Sequence, residues 1–422
     1  MQLTEHLIKK DFDSIPINPF WNTGDEKELK MHRIHAYPAK FPAFITTKAI
    51  QFAEENGVKV NTISDIFCGC GTTAFESRRN GKNFWGCDIN PVATLIASVK
   101  SKTYTANTLL KHYNTIISNA QALPVTQDEL KNVNERIKYW YPEEQIKDLL
   151  KLKKAIFLSV PQRSIYRNFF LVAFSNILKP TSMWLTKSIK PQYDPQKKPA
   201  NVFEAFKTQY RLMEKSSKDV EFEGKTEAKI ENINFLRKKI KRPKADLIVT
   251  SPPYVTSYEY ADLHQLSSLW LDYTDDYRNL REGTIGSLHH NSNFKDDIKQ
   301  LNKIGEAIVF KLYTVDKNKA KSAAKYFIDM QRAASKAYEL LNAGGMALFV
   351  IGNTEYKSVK IDNAKHLVQS MESVGFNNIE ISRRKIKTKI LTPYRDEKGK
   401  FTTDSNSHKV YAEEFIVTGK KT

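Results

Sequence analysis

Between Thr62 and Asp88 the chain reads strand, glycine turn, helix, strand and acid, in that order. The apolar stretch Thr62-Ile-Ser-Asp-Ile-Phe67 runs into Cys-Gly-Cys-Gly-Thr72, a helical pattern covers Thr73 to Asn80, and Asn83-Phe-Trp-Gly-Cys-Asp88 reads as a second strand. Strands separated by helices imply a largely parallel sheet covered on both faces, an α/β fold. Gly69 and Gly71 permit a tight turn and a close approach of a ligand to the main chain. The helix that follows offers unpaired N–H groups to an anionic ligand. The third glycine of the dinucleotide fingerprint is missing, so this turn does not by itself imply NAD. Asp88 lies roughly 20 residues past the turn, where a carboxylate can take ribose hydroxyls. The alternative for Asp88 is a helix cap ahead of Asn90-Pro91.

A second stretch, Asp246-Leu-Ile-Val-Thr-Ser-Pro-Pro-Tyr254, reads as a buried strand from Leu247 to Thr250 ending in a stiff turn. Consecutive prolines fix two φ angles, remove two N–H donors and hold the preceding backbone extended. The Ser251 and Pro252 carbonyls are thereby fixed, with the ring of Tyr254 beside them. Fixed acceptors beside an aromatic face suit a planar base with an exocyclic amine. A plain proline-rich turn after a strand is the other reading of this stretch alone. Both turns lie at carboxyl ends of strands, where open α/β sheets bind ligands.

The segment His32-Arg-Ile-His-Ala-Tyr-Pro-Ala-Lys-Phe-Pro42 precedes a helical pattern at Ile45 to Glu55 and can be an ordinary basic loop. Taken with the other two stretches, it resembles the amino-methylating DNA methyltransferases that use S-adenosylmethionine. The resemblance covers residues 30–103 and 226–422 and extends to Ala343-Gly-Gly-Met-Ala-Leu-Phe-Val-Ile-Gly-Asn353, similar to a late strand of that fold. It implies a Rossmann-like class I methyltransferase fold. It places Asp65, Phe67, Gly69, Gly71 and Thr72 at the methionine end of the cofactor and Asp88 on the ribose. Tyr37, Lys40 and Phe41 belong to the flanking cofactor motif, and Ser251, Pro252, Pro253 and Tyr254 to the catalytic motif. Cys68 and Cys70 stand where the family more often carries other small residues.

The chain has 422 residues, 41% hydrophobic content and a formal net charge of +19. So large a cationic surplus suits a polyanion, because Lys and Arg displace counterions condensed on phosphates. A solubility-driven surface or anionic lipid would also account for the charge, and runs such as Arg237-Lys-Lys-Ile-Lys-Arg242 can be solvated faces. The three cysteines, Cys68, Cys70 and Cys87, all fall in the expected cofactor region. An odd, clustered set argues against a disulfide framework, and the spacing does not suit a zinc site, so no metal is expected. Met1 to Asp11 lacks the apolar core of a signal peptide, and apolar runs such as Phe169 to Phe174 are too short to span a bilayer. A cytoplasmic, DNA-associated bacterial or archaeal protein is the expectation.

Three regions are expected along the chain. Residues 1–30 read as an N-terminal arm with an Asn18-Pro-Phe-Trp21 anchor, and residues 31–103 with 226–422 as a split catalytic domain. Residues 104–225 carry Leu, Ile and aromatics at helical spacing and read as a mostly helical insertion. Its basic, proline-broken loop, with Lys187, Lys190, Tyr193 and Lys197, is a candidate DNA contact. The alternative is a structural cap over the cofactor cleft. Glu282 to His290 is a glycine-containing loop downstream of the catalytic turn, with His289 and His290 read as surface histidines.

The expected reaction is methyl transfer from S-adenosylmethionine to an exocyclic amine of double-stranded DNA, with the base turned out of the duplex. Carbon methylation of cytosine would need a nucleophilic cysteine in a Pro-Cys turn, and the chain has none. The resemblance favours cytosine N4, because members with Ser before Pro-Pro more often act there; adenine N6 is the alternative. A cognate restriction enzyme is an expected functional partner. Methylation of RNA or of protein glutamine, or a non-catalytic nucleic-acid binder, are the rival classes.

Overall fold

The computed structural model describes residues 11–24, 27–38, 40, 42–255, 260–287, 293–386, 394–395, 401–402, 404, 408–409 and 413–422. Seven strands form its main sheet: β1 Thr62–Asp65, β2 Asn83–Asp88, β3 Ala228–Asn232, β4 Ala245–Thr250, β5 Leu341–Ile351, β6 Asn377–Lys385 and β7 Glu413–Lys420. Their spatial order is β3-β2-β1-β4-β5-β7-β6. The first five run parallel, and β7 is inserted antiparallel between β5 and β6. This is the expected Rossmann-like class I methyltransferase arrangement.

The apolar runs of the central strands are buried on both faces, as a doubly covered sheet requires. Leu247 and Val249 of β4 join Ile63, Leu348 and Val350 against α1, Phe44–Glu55. Ile248, between them in sequence, faces the opposite side with Ala347, Phe349 and Val417. There the helices Lys317–Leu340 and Asn363–Ser373 cover it, supplying Ala334, Ala337 and Leu367 to that core. The period of two along the strands thus decides which helix layer each residue meets.

After β1 comes α2, Thr72–Arg79, and after β2 comes α3, Pro91–Lys100. Pro91 occupies the first turn of α3, and the Asn90 side chain accepts from the N–H groups of Val92 and Ala93. Six helices then follow before the chain returns to the sheet: α4 Ala106–Ala122, α5 Gln127–Lys131, α6 Glu135–Trp140, α7 Glu143–Ser159, α8 Ile165–Ile177 and α9 Val202–Lys218. Pro142 separates α6 from α7, as the Tyr139-Trp-Tyr-Pro142 sequence predicts. Their apolar faces, including Phe169, Phe170 and Phe206, share one core with Val92 and Ile96 of α3.

Beyond β4 lie α10 Tyr260–Leu263 and α11 Gln265–Trp270, then α12 Phe294–Gln300, α13 Lys303–Val315, α14 Lys317–Leu340 and α15 Asn363–Ser373. His264 separates α10 from α11. In the arm, Asn18 caps a single 3-10 turn, Pro19–Trp21, and Trp21 is buried against α1. Among the described residues no helix is long and apolar enough to cross a membrane.

Candidate functional site

The glycine turn starts at the carboxyl end of β1. Gly69 and Gly71 both have positive φ, +48° and +77°. Gly71 sits at the start of α2, where an added Cβ would come 2.6 Å from Ala97 of α3. Glycine is therefore required there by backbone conformation and by helix packing together. At Gly69 the neighbour is the Tyr37 hydroxyl, 3.4 Å from where a Cβ would stand.

Asp88, at the end of β2, accepts from the N–H groups of Gly69 (2.9 Å, Oδ2) and Asn90 (2.8 Å, Oδ1). Its capping alternative is excluded, since Asn90 itself caps α3. Each Asp88 oxygen takes one backbone donor and keeps a lone pair for a hydroxyl of a ligand. Burial pushes the Asp88 carboxyl above its ordinary range, while these backbone bonds oppose the shift.

Asp65 is placed differently. It is buried between three donors: Thr73 Oγ1 at 2.8 Å, Thr250 Oγ1 at 2.6 Å and the Phe67 N–H at 3.1 Å. It ties the end of β1 to α2 and to the last residue of β4, one position before Ser251. Burial lifts its carboxyl to about 6 against the pull of those bonds. Asp65 therefore braces the two turns against each other and does not line the cavity they share.

That cavity, of about 150 Å³, is lined by Tyr37, Phe67, Gly69 and Asp88 on one side and by Ser251 and Pro253 on another. The glycine turn and the double-proline turn thus open on one space. Pro252 is buried behind them. Gly71, Thr72 and Lys40 stand outside the lining. Lys40 Nζ donates to the His32 carbonyl at 2.8 Å and meets Glu28 at 3.4 Å, which ties down the segment carrying Tyr37. Phe41 lies outside the described residues, as do His289 and His290.

Tyr254 also stands outside the lining. Its ring packs on Gly352, where a Cβ would come within 3.1 Å of Cε2, and its hydroxyl donates to Glu414 Oε1 at 3.1 Å. The other Glu414 oxygen accepts from Arg384 at 2.6 Å, and Arg384 Nε donates to the Trp21 carbonyl at 2.9 Å. The ring is held from the β7 side by a chain of bonds reaching the N-terminal arm.

Several lining residues carry no motif in the sequence. Ile89, Ile233, Phe235 and Leu236 form an apolar wall at the carboxyl ends of β2 and β3. Their only sequence signal is position just after a strand in the βαβ order. Tyr260 of α10, His264 at the break and Ser268 of α11, with Leu280 and Gly283 to Ile285, line the cavity from the segment after the double-proline turn. Tyr37 stacks on His264, with ring centroids 5.1 Å apart and planes at 26°.

In the insertion, Trp184 and Tyr193 pair across a hairpin-like loop. Lys187, Lys190 and Tyr193 are exposed on it. Lys197 instead donates to the carbonyls of Lys179 (2.9 Å) and Trp184 (2.7 Å), and burial with Lys179 nearby draws its amine down to about 8. It braces the loop. Tyr193 packs on Tyr139 of α6 at 5.2 Å, and Arg136 lies over Tyr139 at 4.8 Å and over Tyr277 at 5.8 Å. Tyr277 is one turn from Leu280 of the cavity wall, so this aromatic and cationic ridge begins beside the site.

The site fits S-adenosylmethionine: a main-chain cradle at Gly69 for the amino-acid end, a carboxylate with free lone pairs for ribose hydroxyls, and an apolar wall for the purine. Comparison with known proteins agrees. Residues 6–98 match the N6/N4 methyltransferase model, described as DNA methylase. Over 414 residues, 92% of this chain and 90% of its relative, the sequence is 24% identical to Type II methyltransferase M.MvaI of Kocuria varians. Among solved structures, a TehB-like SAM-dependent methyltransferase from Corynebacterium glutamicum matches with 8% identity, TM-score 0.27 and coverage of 94% and 90% of the two chains. The rRNA methyltransferase aviRa from Streptomyces viridochromogenes matches with 10% identity, TM-score 0.29 and coverage of 92% and 88%. At such scores these two likenesses add nothing to the assignment. The motifs and the sheet order, the match of residues 6–98 to the DNA methylase model and the alignment with a type II methyltransferase over 92% of the chain together support a DNA amino-methyltransferase that uses S-adenosylmethionine.

Proposed function

We propose that the protein methylates the exocyclic N4 of cytosine in double-stranded DNA at a specific site, by direct transfer to a base turned out of the duplex. The observation that carries this reading is the single cavity lined by both Gly69 and Ser251. The cofactor, when bound, supplies a methyl group already activated on a sulfonium. The chain's task is then to position the amine. An exocyclic amine is a weak nucleophile because its lone pair is delocalised into the ring. Acceptance of its N–H bonds by the Ser251 hydroxyl and the Pro252 carbonyl localises that lone pair toward the methyl. Tyr254, held through Glu414 and Arg384, is the stacking face for the base. The choice of cytosine rests on Ser251, whose hydroxyl can both donate to ring N3 and accept from the amine.

Tyr37, Phe67, Gly69 and Asp88 are the proposed cofactor contacts, with Asp65, Gly71, Thr72 and Lys40 setting their geometry. Asp88→Ala is expected to weaken cofactor binding by about 1–3 kcal/mol, the scale of a lost charged hydrogen bond. Isothermal titration measures this directly, and an unchanged affinity would reject the ribose role.

Residues 104–225 are the proposed DNA-reading part, between the two stretches of the catalytic domain. Support comes from the net charge of +19 and from the exposed Lys187, Lys190, Tyr193 and Tyr139, linked through Arg136 to Tyr277. Lys187→Gln and Lys190→Gln are each expected to reduce the slope of log affinity against log salt by about 1, as phosphate contacts do. Slopes equal to that of the parent protein would remove both lysines from the interface. A cognate restriction enzyme as functional partner belongs to the same proposal, supported by the likeness to a type II methyltransferase. Modification-sensitive sequencing of DNA from cells expressing the protein tests the whole reading. Methyl groups on cytosine N4 in one sequence context are expected; methyl groups on adenine N6 would replace the base assignment.

A further inference from the structure

Two buried polar atoms on the cavity wall find no partner among the described residues. They are His264 Nε2 and Ser268 Oγ, whose residues are 4% and 0% exposed. Both residues line the cavity. They stand four apart, joined by the Ser268 N–H to His264 carbonyl bond of 2.9 Å, so their side chains leave the same face of the chain. Leaving a buried donor or acceptor unpaired is costly, and native interiors rarely do so without a ligand or water to satisfy it.

The position of the pair narrows the ligand. His264 is stacked on Tyr37, whose hydroxyl lies 3.4 Å from where a Cβ on Gly69 would stand. The pair therefore faces the glycine turn. The apolar wall of Ile89, Phe235 and Leu236 is at the β2 and β3 ends, beyond Asp88. Burial and the nearby His35 draw the His264 imidazole down to about 3, so the ring is neutral, and one of its nitrogens carries a hydrogen. A neutral imidazole N–H and a hydroxyl, side by side and desolvated, make a two-donor seat for a group with two acceptor oxygens.

The geometry points to His264 and Ser268 as the seat of the α-carboxylate at the amino-acid end of S-adenosylmethionine. This rests on the methyl-transfer reading above and adds to it two binding residues from the segment after the double-proline turn.

The test compares S-adenosylmethionine with its decarboxylated form, which keeps the sulfonium, ribose, adenine and amine. His264→Phe retains a ring to stack on Tyr37, and Ser268→Ala retains the helix; melting temperatures check that both fold. Each variant is expected to bind the intact cofactor roughly 10- to 100-fold more weakly, the range for a hydrogen bond to a charged group. Affinity for the decarboxylated form is expected to stay at the parent value. Equal weakening of both ligands, or no weakening of either, overturns the assignment. So does an unchanged cofactor affinity with reduced methyl transfer to DNA, which gives the pair to the target base instead. If the unmodified protein binds neither ligand, the proposed function fails and the inference falls with it.

Discussion

Ser251→Ala is expected to lower the rate of methyl transfer about 10²–10³-fold while leaving cofactor affinity nearly intact, by analogy with the loss of one preorganised polar contact to a transition state. Ser251 lines the cavity at the end of β4, and its neighbour Thr250 is fixed to Asp65 at 2.6 Å. Removing the hydroxyl therefore leaves the turn in place and subtracts one acceptor for the amine. The sulfonium already carries the electrophilic activation, so the loss falls on orientation of the amine and localisation of its lone pair. Single-turnover transfer of a tritiated methyl group to DNA, with titration of the cofactor alongside, separates the two quantities. A variant turning over at nearly the parent rate would end the catalytic assignment of the Ser-Pro-Pro-Tyr turn.

The second large effect is on stability. Gly71→Ala is expected to destabilise the fold by about 2–5 kcal/mol, combining about 1–2 kcal/mol for a left-handed residue with about 1–3 kcal/mol for overpacking. The φ of +77° and the 2.6 Å approach to the Cα and Cβ of Ala97 act together. Relief requires α3 to move away from α2, and α3 is anchored by Val92 and Ile96 in the core shared with the insertion. Gly57 is the control: its φ is +78°, yet nothing lies within 4 Å of an added Cβ. Gly57→Ala isolates the backbone term, so denaturant unfolding should give it about 1–2 kcal/mol and Gly71→Ala distinctly more. Equal losses in the two variants would show that the contact with Ala97 is relieved at no cost.

The segment from Thr62 to Asp88 was readable because every signal in it is local. An apolar strand, a glycine pair, a helix period and a terminal acid fall within a short stretch, and the structure assigns β1, α2 and β2 there. The same holds for β4, whose apolar run ends where two prolines stop it, and for Pro142, which divides α6 from α7. Local reading failed where a side chain's partner is remote. Asp65 lies beside the glycine turn in sequence, but its strongest bond is to Thr250, 185 positions away. Lys197 sits in a basic loop and reads as a phosphate contact, yet two backbone carbonyls take its amine. Phe235 and Leu236 became cavity wall only because β3 pairs beside β2.

The sequence alone determined the α/β class, the positions of the two turns and the residue types they present, because φ restriction, strand alternation and helix period act over a few neighbours. Only the tertiary structure decided that Gly69 and Ser251 open on one cavity, that Asp65 is a brace, and that His264 Nε2 and Ser268 Oγ find no hydrogen-bond partner among the described residues. Those outcomes depend on which strands pair and which distant donors reach a buried acceptor. Such choices are made by burial and hydrogen bonding across the whole chain, and no short window of residues contains them.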